Sequence, residues 1–161
     1  MTEKFTISVG QAQPAPPKSD LSLAIVAAEF NKTISSSLVE GAQQVFAAQG
    51  ISDVSTLWVP GAFEIPITCE RLLNSKKLDG IVTLGAVIRG DTPHFDYVAG
   101  ECAKGVNSVS LKYKTPIMFG VLTTNTVEQA LNRAGLKLGN KGAEAAAALL
   151  DLLALFREHQ I

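Results

Sequence analysis

The feature that most narrows the fold is an alternation. Four short apolar runs, 21–27, 54–59, 80–85 and 116–122, are each followed by a stretch with helical spacing. Continuous apolar runs of this length suit strands buried on both faces, and a strict strand–helix alternation puts the helices on the crossovers of a parallel sheet. The first helix, predicted over 35–49, sets Leu38, Val39, Ala42, Val45 and Phe46 at helical spacing and stops near Gly50. Further helices are predicted over 63–74, 95–112 and 141–158, and a shorter one carries Arg133. The reading is a single α/β domain, a three-layer sandwich with a four-stranded parallel sheet flanked by helices. Its last helix has apolar side chains almost all round between Ala143 and Phe156, which predicts burial against another subunit as well as the sheet.

A chain of 161 residues buries about 70% of its unfolded surface as one domain and needs no staples. Residues 1–20 carry Pro14, Pro16 and Pro17 and few large apolar groups besides Phe5 and Ile7, so they read as a flexible tail, leaving 21–161 as the domain. A net charge of −1 with acids and bases intermixed provides no basic stripe for nucleic acid or an anionic membrane. No apolar run reaches the length of a membrane span, and the N-terminus has no secretory h-region. Cys69 and Cys102 lack CxxC spacing or a His-rich neighbourhood, so buried reduced thiols are expected rather than a metal site or a disulfide. These features point to the cytoplasm, or to a plastid after loss of a presequence.

In parallel sheets ligands gather beyond the carboxyl ends of the strands. The loops expected there are Glu29-Phe30-Asn31 after the first strand, Pro60-Gly61-Ala62-Phe63-Glu64 after the second, and the segment from Ile88 to His94 after the third. The third loop is the richest in chemistry. Gly90 frees the backbone to turn N–H groups toward an anion, Thr92 adds a hydroxyl donor, and Pro93 is suited to start a helix facing the same anion. His94, one of two histidines in the chain, follows directly. Taken alone, such a turn is more often a plain strand-to-helix connection; the aromatic and carboxylate-bearing loops beside it favour a site. Asn140 is expected to cap the last helix, with Lys141 and Glu144 as an exposed charge pair.

Five motifs in order, EFN (29–31), PGAFEIP (60–66), LGAVIRGDTPHFDYV (84–98), FGVLT (119–123) and QALNRAG followed by GNKG (129–142), resemble the lumazine synthase family from residue 21 onward. The resemblance implies a flavodoxin-like topology. It implies condensation of 5-amino-6-(D-ribitylamino)uracil with 3,4-dihydroxy-2-butanone 4-phosphate to 6,7-dimethyl-8-ribityllumazine, the penultimate step of riboflavin synthesis, with no metal and no organic cofactor. On this resemblance Phe30 stacks on the pyrimidine, Asn31, Ala62, Phe63 and Glu64 follow the ribityl chain, and backbone groups of Ala86, Val87 and Ile88 bind the pyrimidine edge. The phosphate falls to the N–H groups of Gly90, Asp91 and Thr92 and to the Arg133 guanidinium, with Arg89 expected to temper the Asp91 charge. His94 is the candidate general acid/base, supported by Glu144 or Asp96.

The resemblance also implies a site shared between adjacent subunits of a pentamer. Phe119, Arg133 and Lys141 come from one chain, and Phe30, the PGAFE loop and the His94 loop from its neighbour. A GxKxGN turn at Gly135, Lys137, Gly139 and Asn140 is the family's mark of sixty-subunit icosahedral shells. The competing readings are an archaeal-type riboflavin synthase, a non-catalytic flavin- or lumazine-binding shell, and a flavodoxin-like electron carrier. The last would want a hydroxyl-rich phosphate loop after the first strand, and Glu29-Phe30-Asn31 is not one.

Overall fold

The segment LAIVAA, buried at every position, forms β1 (Leu23–Ala28) at the middle of the sheet, as expected of a run with no polar side chain to turn outward. The computed structural model describes residues 20–161; the predicted tail, apart from Asp20, lies outside the described residues. After β1 come α1 (Lys32–Ala48), β2 (Val54–Val59), a single 3-10 turn (Ala62–Glu64), α2 (Ile65–Ser75), β3 (Gly80–Ile88), α3 (His94–Tyr113), β4 (Ile117–Thr124), α4 (Val127–Arg133) and α5 (Lys141–His159). All strand pairs are parallel and the order is β2-β1-β3-β4, the doubly wound arrangement that the alternation called for.

The two faces of the sheet bury different halves of each strand. Leu23, Ile25, Ala27, Val82 and Leu84 pack with Leu38, Phe46 and Leu149 of α1 and α5. Ala24, Val26, Ala28 and Ile81 pack with Ile65, Cys69, Cys102 and Val106 of α2 and α3. Thr83, the polar residue of β3, is fully buried and donates its hydroxyl to the Met118 carbonyl at 2.9 Å, so no polar group of that side chain is stranded. Both cysteines are free and buried. Burial pushes each thiol up to about 12, which keeps it protonated and unreactive.

Two boundaries matter for the site, and the second of them differs from the sequence reading. β3 runs on past Gly85 to Ile88, because Ala86, Val87 and Ile88 remain paired with Leu122, Thr123 and Thr124 of β4. Its pairing with β1 ends at Leu84, so the last turn of β3 projects beyond β1. α1 begins at Lys32, earlier than apolar spacing suggested, because Asn31 turns the chain sharply with φ 60 and ψ 42. The expected all-round burial of α5 is met on one side only. Ala146, Leu149, Leu150 and Leu153 are buried, while Ala147, Ala148, Ala154 and Leu155 lie open, since one chain has a sheet and α1 on just one side of this helix.

α5 approaches α1 unusually closely at its first turn. A Cβ built at Gly142 would stand 2.0 Å from the Leu38 carbonyl oxygen, and one at Gly41 would meet the Asn140 side chain at 2.5 Å. Asn140 joins the two helices. Its Oδ1 accepts from the N–H groups of Gly142 (2.9 Å) and Ala143 (3.1 Å), while its Nδ2 donates to the Ser37 carbonyl of α1 at 2.8 Å. The cap predicted for α5 is therefore also a tertiary tie. Because the obstacle at Gly142 is backbone, it cannot rotate away, and Gly142→Ala is expected to cost at least about 1–3 kcal/mol. Urea unfolding of the variant beside wild type checks this; an unchanged midpoint would mean that α5 shifts freely along α1.

Candidate functional site

The carboxyl ends of β1, β2 and β3 open at one edge of the sheet, and the loops that leave them carry the residues singled out from sequence. After β1, the Glu29 and Phe30 N–H groups donate to the Val59 and Pro60 carbonyls (2.7 and 3.1 Å), which lays this loop against the end of β2. The Phe30 side chain then stands free, 71% exposed, and Phe63 on the next loop is 57% exposed. Two large apolar rings held in water by neighbouring loops are a costly arrangement for a lone chain and a ready platform for a flat ring system. Asn31 adopts the left-handed backbone that asparagine tolerates better than other non-glycine residues. Its Nδ2 donates to the Ala86 carbonyl at 2.8 Å, bracing the Phe30 loop against the projecting end of β3.

The projecting end of β3 has a definite polarity. The Arg89 N–H donates to the Thr124 carbonyl (2.9 Å), and strand alternation turns Val87 the same way, toward β4. The backbone N–H and C=O groups of Ala86 and Ile88 consequently face the β1 side, where Asn31 already reaches the Ala86 carbonyl. Ala62 is the buried first residue of the 3-10 turn, and the half-buried Glu64 folds its carboxylate back over Gly61, within 3.1 Å of where a Cβ would stand. Among the described residues Glu64 has no ion-pair partner.

Beyond β3 the chain passes through Gly90, Asp91, Thr92 and Pro93, all exposed, into α3, whose first residue is the exposed His94. Gly90 does not use the left-handed freedom expected of it: its φ is not positive, and a Cβ there would meet nothing within 4 Å. No feature of the chain's own fold makes glycine necessary at that position. Thr92 does not cap α3; the N-cap is Pro93 and no side chain bonds to the helix start. Arg89 is not turned to Asp91 as expected. It pairs with Asp96 at 3.0 Å, donates Nε–H to the Asn125 side chain at 3.2 Å, and lies over the Phe95 ring at 4.3 Å, because Asp96 in the first turn of α3 stands directly across the loop. Asp96 is thus engaged by Arg89 rather than by His94, whose imidazole has no hydrogen-bond partner among the described residues.

A second group of predicted residues collects on the other side of β4. A cavity of about 510 Å³ is lined by Phe119, Arg133, Lys141, Glu144 and Ala145, with the β4 backbone as its floor. Arg133 reaches it from the end of α4, steadied by a 3.0 Å bond from Nη1 to the Gln129 carbonyl. The start of α4 is fixed by Thr126, whose hydroxyl accepts from the Gln129 N–H at 3.1 Å. Lys141 and Glu144 form the expected charge pair at 2.5 Å. Phe119 on this edge strand is 41% exposed. None of Phe30, Asn31, Phe63, Glu64 or His94 lines this cavity. One chain therefore holds two incomplete sets: rings, carboxylate and imidazole at the β1–β3 loops, and guanidinium, ammonium and Phe119 beside β4. Glu144 belongs to the second set and does not accompany His94 within the chain.

Three contributors escaped the sequence reading. Trp58 on β2 is stacked under Lys32 at 5.1 Å, and Lys32 pairs with Glu29 at 3.0 Å, flanking Phe30. Asn125 matters only through Arg89, a long-range contact with no local signature. No group of three or more His, Cys, Asp or Glu capable of holding a metal occurs among the described residues, and no described helix is long and apolar enough to cross a membrane.

Residues 20–157 match the family described as 6,7-dimethyl-8-ribityllumazine synthase. The chain is similar to proteins of that name from Helicobacter hepaticus (50% identity over 141 residues, 86% of this chain and 90% of the relative) and Lactiplantibacillus plantarum (50% over 135 residues, 83% and 85%). A third, from Leuconostoc mesenteroides subsp. mesenteroides, is 51% identical over 138 residues, 84% of this chain and 88% of the relative.

The brace at Asn31 separates two contributions that mutation can resolve. Asn31→Gly keeps the left-handed backbone but loses the bond to Ala86, for an expected cost of about 0.5–1.5 kcal/mol. Asn31→Ala loses both and is expected to be less stable than the glycine variant by about 1 kcal/mol. Equal urea midpoints for the two variants would mean that the left-handed turn imposes no constraint.

Proposed function

This chain belongs to the 6,7-dimethyl-8-ribityllumazine synthase family, and from that premise we propose how its residues carry the family's reaction, with residues 21–161 as the synthase domain. It is an enzyme of riboflavin biosynthesis that condenses 5-amino-6-(D-ribitylamino)uracil with 3,4-dihydroxy-2-butanone 4-phosphate to 6,7-dimethyl-8-ribityllumazine. The pyrimidine stacks on Phe30 and takes hydrogen bonds along the projecting end of β3, where Ala86 and Ile88 face the open side and Val87 closes the strand against β4. The ribityl hydroxyls run along Asn31, Ala62, Phe63 and Glu64, whose carboxylate is free to accept them. Phosphate is held by the N–H groups of Gly90, Asp91 and Thr92. The open space where a Gly90 side chain would stand is what a close approach of backbone to anion requires.

The reaction proceeds by attack of an amine on a ketone, loss of water to an imine, elimination of phosphate, and closure of the second ring by attack of the ribityl-bearing amine on the remaining carbonyl with loss of a second water. Each step moves a proton, and His94, exposed beside the phosphate turn, is the group we assign to carry it. Glu144 supports the transfer from the neighbouring set, with its partner Lys141 orienting it.

The observation that carries this reading is the division of the site. Phe119, Arg133, Lys141 and Glu144 line a cavity that receives nothing from the Phe30, Phe63 and His94 loops of the same chain. A second copy that docks its β1–β3 loops beside β4 completes the site, bringing Arg133 to the phosphate turn and Phe119 to the pyrimidine. The same docking covers the open edge of β4 and the exposed side of α5. We assign this contact to a homopentamer. The Gly135 to Asn140 turn, closed by a 2.9 Å bond from the Gly135 N–H to the Gly139 carbonyl and bearing the exposed Leu136 and Leu138, joins pentamers into a sixty-subunit icosahedral shell. The reaction runs in the cytoplasm, without metal or organic cofactor, and with no nucleic acid or membrane as partner.

Lumazine formation followed by absorbance, beside a no-enzyme blank, tests the assignments. Arg133→Ala is expected to raise KM for the butanone phosphate about 10- to 100-fold, the loss of one charge-assisted contact. His94→Ala is expected to slow turnover by about 10²- to 10⁴-fold at most, yet to stay above the blank, because holding the substrates together contributes independently. A His94→Ala rate equal to the blank in a folded assembly would remove the proximity contribution. Dilution to a species shown by light scattering to be monomeric is expected to abolish turnover; a fully active monomer would refute the shared site.

A further inference from the structure

We propose that Arg89 is a positioning residue: by gripping the far side of the loop that begins at its own Cα, it sets the shape of the phosphate turn and the position of His94. The inference rests on the proposed reading of that turn, and it deepens that reading by naming what holds the turn in shape.

The grip uses every face of the guanidinium. Nη2 and Nη1 reach the two oxygens of Asp96 at 3.0 and 3.4 Å, Nε reaches Asn125 Oδ1 at 3.2 Å, and the plane of the group lies 4.3 Å from the Phe95 ring centroid. The Arg89 backbone is itself fixed, since its N–H donates to the Thr124 carbonyl at 2.9 Å. The chain between Arg89 and Phe95 is thus a closed loop, tied at one end to β4 and at the other to the first turn of α3. It contains Gly90, Asp91, Thr92 and His94, the residues assigned to phosphate and proton transfer. Asn125 extends the tie to the β4–α4 connection. That loop is stiffened in turn by the Asn125 N–H, which donates to the Gln129 side chain at 2.8 Å; the Gln129 carbonyl receives Arg133.

Energetics argue that this network is for geometry rather than stability. The Arg89 and Asp96 side chains are 44% and 58% exposed, where an ion pair contributes about 0–1 kcal/mol. A forked, planar group is nevertheless the one side chain able to hold a carboxylate, an amide oxygen and an aromatic ring in fixed mutual orientation, which a lysine cannot do. Anion binding by backbone N–H groups depends on that kind of preorganisation, and so does placement of an acid/base group.

The test compares the assembled wild-type enzyme with Arg89→Lys and Asp96→Asn. Both variants are expected to melt within a few degrees of wild type and to keep KM for the pyrimidine. Both should raise KM for the butanone phosphate by about tenfold or more, lower kcat, and weaken inhibition by inorganic phosphate in parallel. The double variant should be no worse than the poorer single one, as for two parts of a single device. Amide hydrogen exchange across residues 90–94 should quicken in both. Wild-type turnover with unchanged phosphate KM and unchanged exchange in Arg89→Lys and Asp96→Asn would overturn the proposal. If Arg89→Lys fails to fold, Asp96→Asn and Asn125→Ala, which leave the guanidinium over Phe95, decide the matter by the same readouts. If wild type shows no turnover above the blank, the functional reading fails instead, and the exchange measurement alone still decides whether Arg89 orders the turn.

Discussion

Burial of β3 on both faces is the constraint from which the rest of the molecule follows. GIVTLGAVI has one polar side chain, Thr83, and that hydroxyl is satisfied inside the sheet by the Met118 carbonyl. A strand of this kind must be flanked by strands on both edges and covered by helices on both faces, since a solvated face would expose large apolar area. β1 and β4 supply the edges, α1 and α5 one cover, and α2 and α3 the other. Parallel pairing then requires long crossovers, and the helices of the sequence are those crossovers.

The same strand positions the candidate site. β3 pairs with β4 as far as Ile88 but with β1 only as far as Leu84, so its end is supported on one side and open on the other. The open side is braced by Asn31 from the β1 loop, and the supported side by Arg89 on Thr124 and Asn125. The turn from Gly90 to His94, mounted on such an end, is exposed yet anchored at both shoulders. Rigid loops on a scaffold of this kind are what a condensation needs when orientation of two substrates supplies much of the acceleration.

The sheet, its order of elements and most of its helix limits were legible because they rest on local composition. β2 spans the residues that apolar patterning predicts, and α5 starts at the lysine after its asparagine cap. The start of α1 was misjudged, because Asn31 makes a left-handed turn that no apolar period encodes. The candidate site divides in the same way. Phe30, Phe63, Glu64, His94 and Arg133 could be singled out by residue type and loop position. The roles of Arg89, Asn125 and Trp58 could not, because each depends on which side chain stands opposite in the folded chain, Asp96 and Asn125 for Arg89 and Lys32 for Trp58.

Sequence alone determined that this chain is a parallel α/β domain, that the loops bearing its candidate site residues leave the carboxyl ends of the strands, and that five ordered motifs mark its family. Those properties depend on hydrophobic period, residue type and order, which a chain carries before it folds. Only the tertiary structure decided that Phe119, Arg133, Lys141 and Glu144 gather beside β4, apart from the His94 turn, and that Arg89 closes that turn through Asp96 rather than shielding Asp91. The physical reason is that register past the end of β1, the approach of α5 to α1 at Gly142 and the reach of one guanidinium across a loop are set by which surfaces meet in space, which hydrophobic period and residue type do not encode.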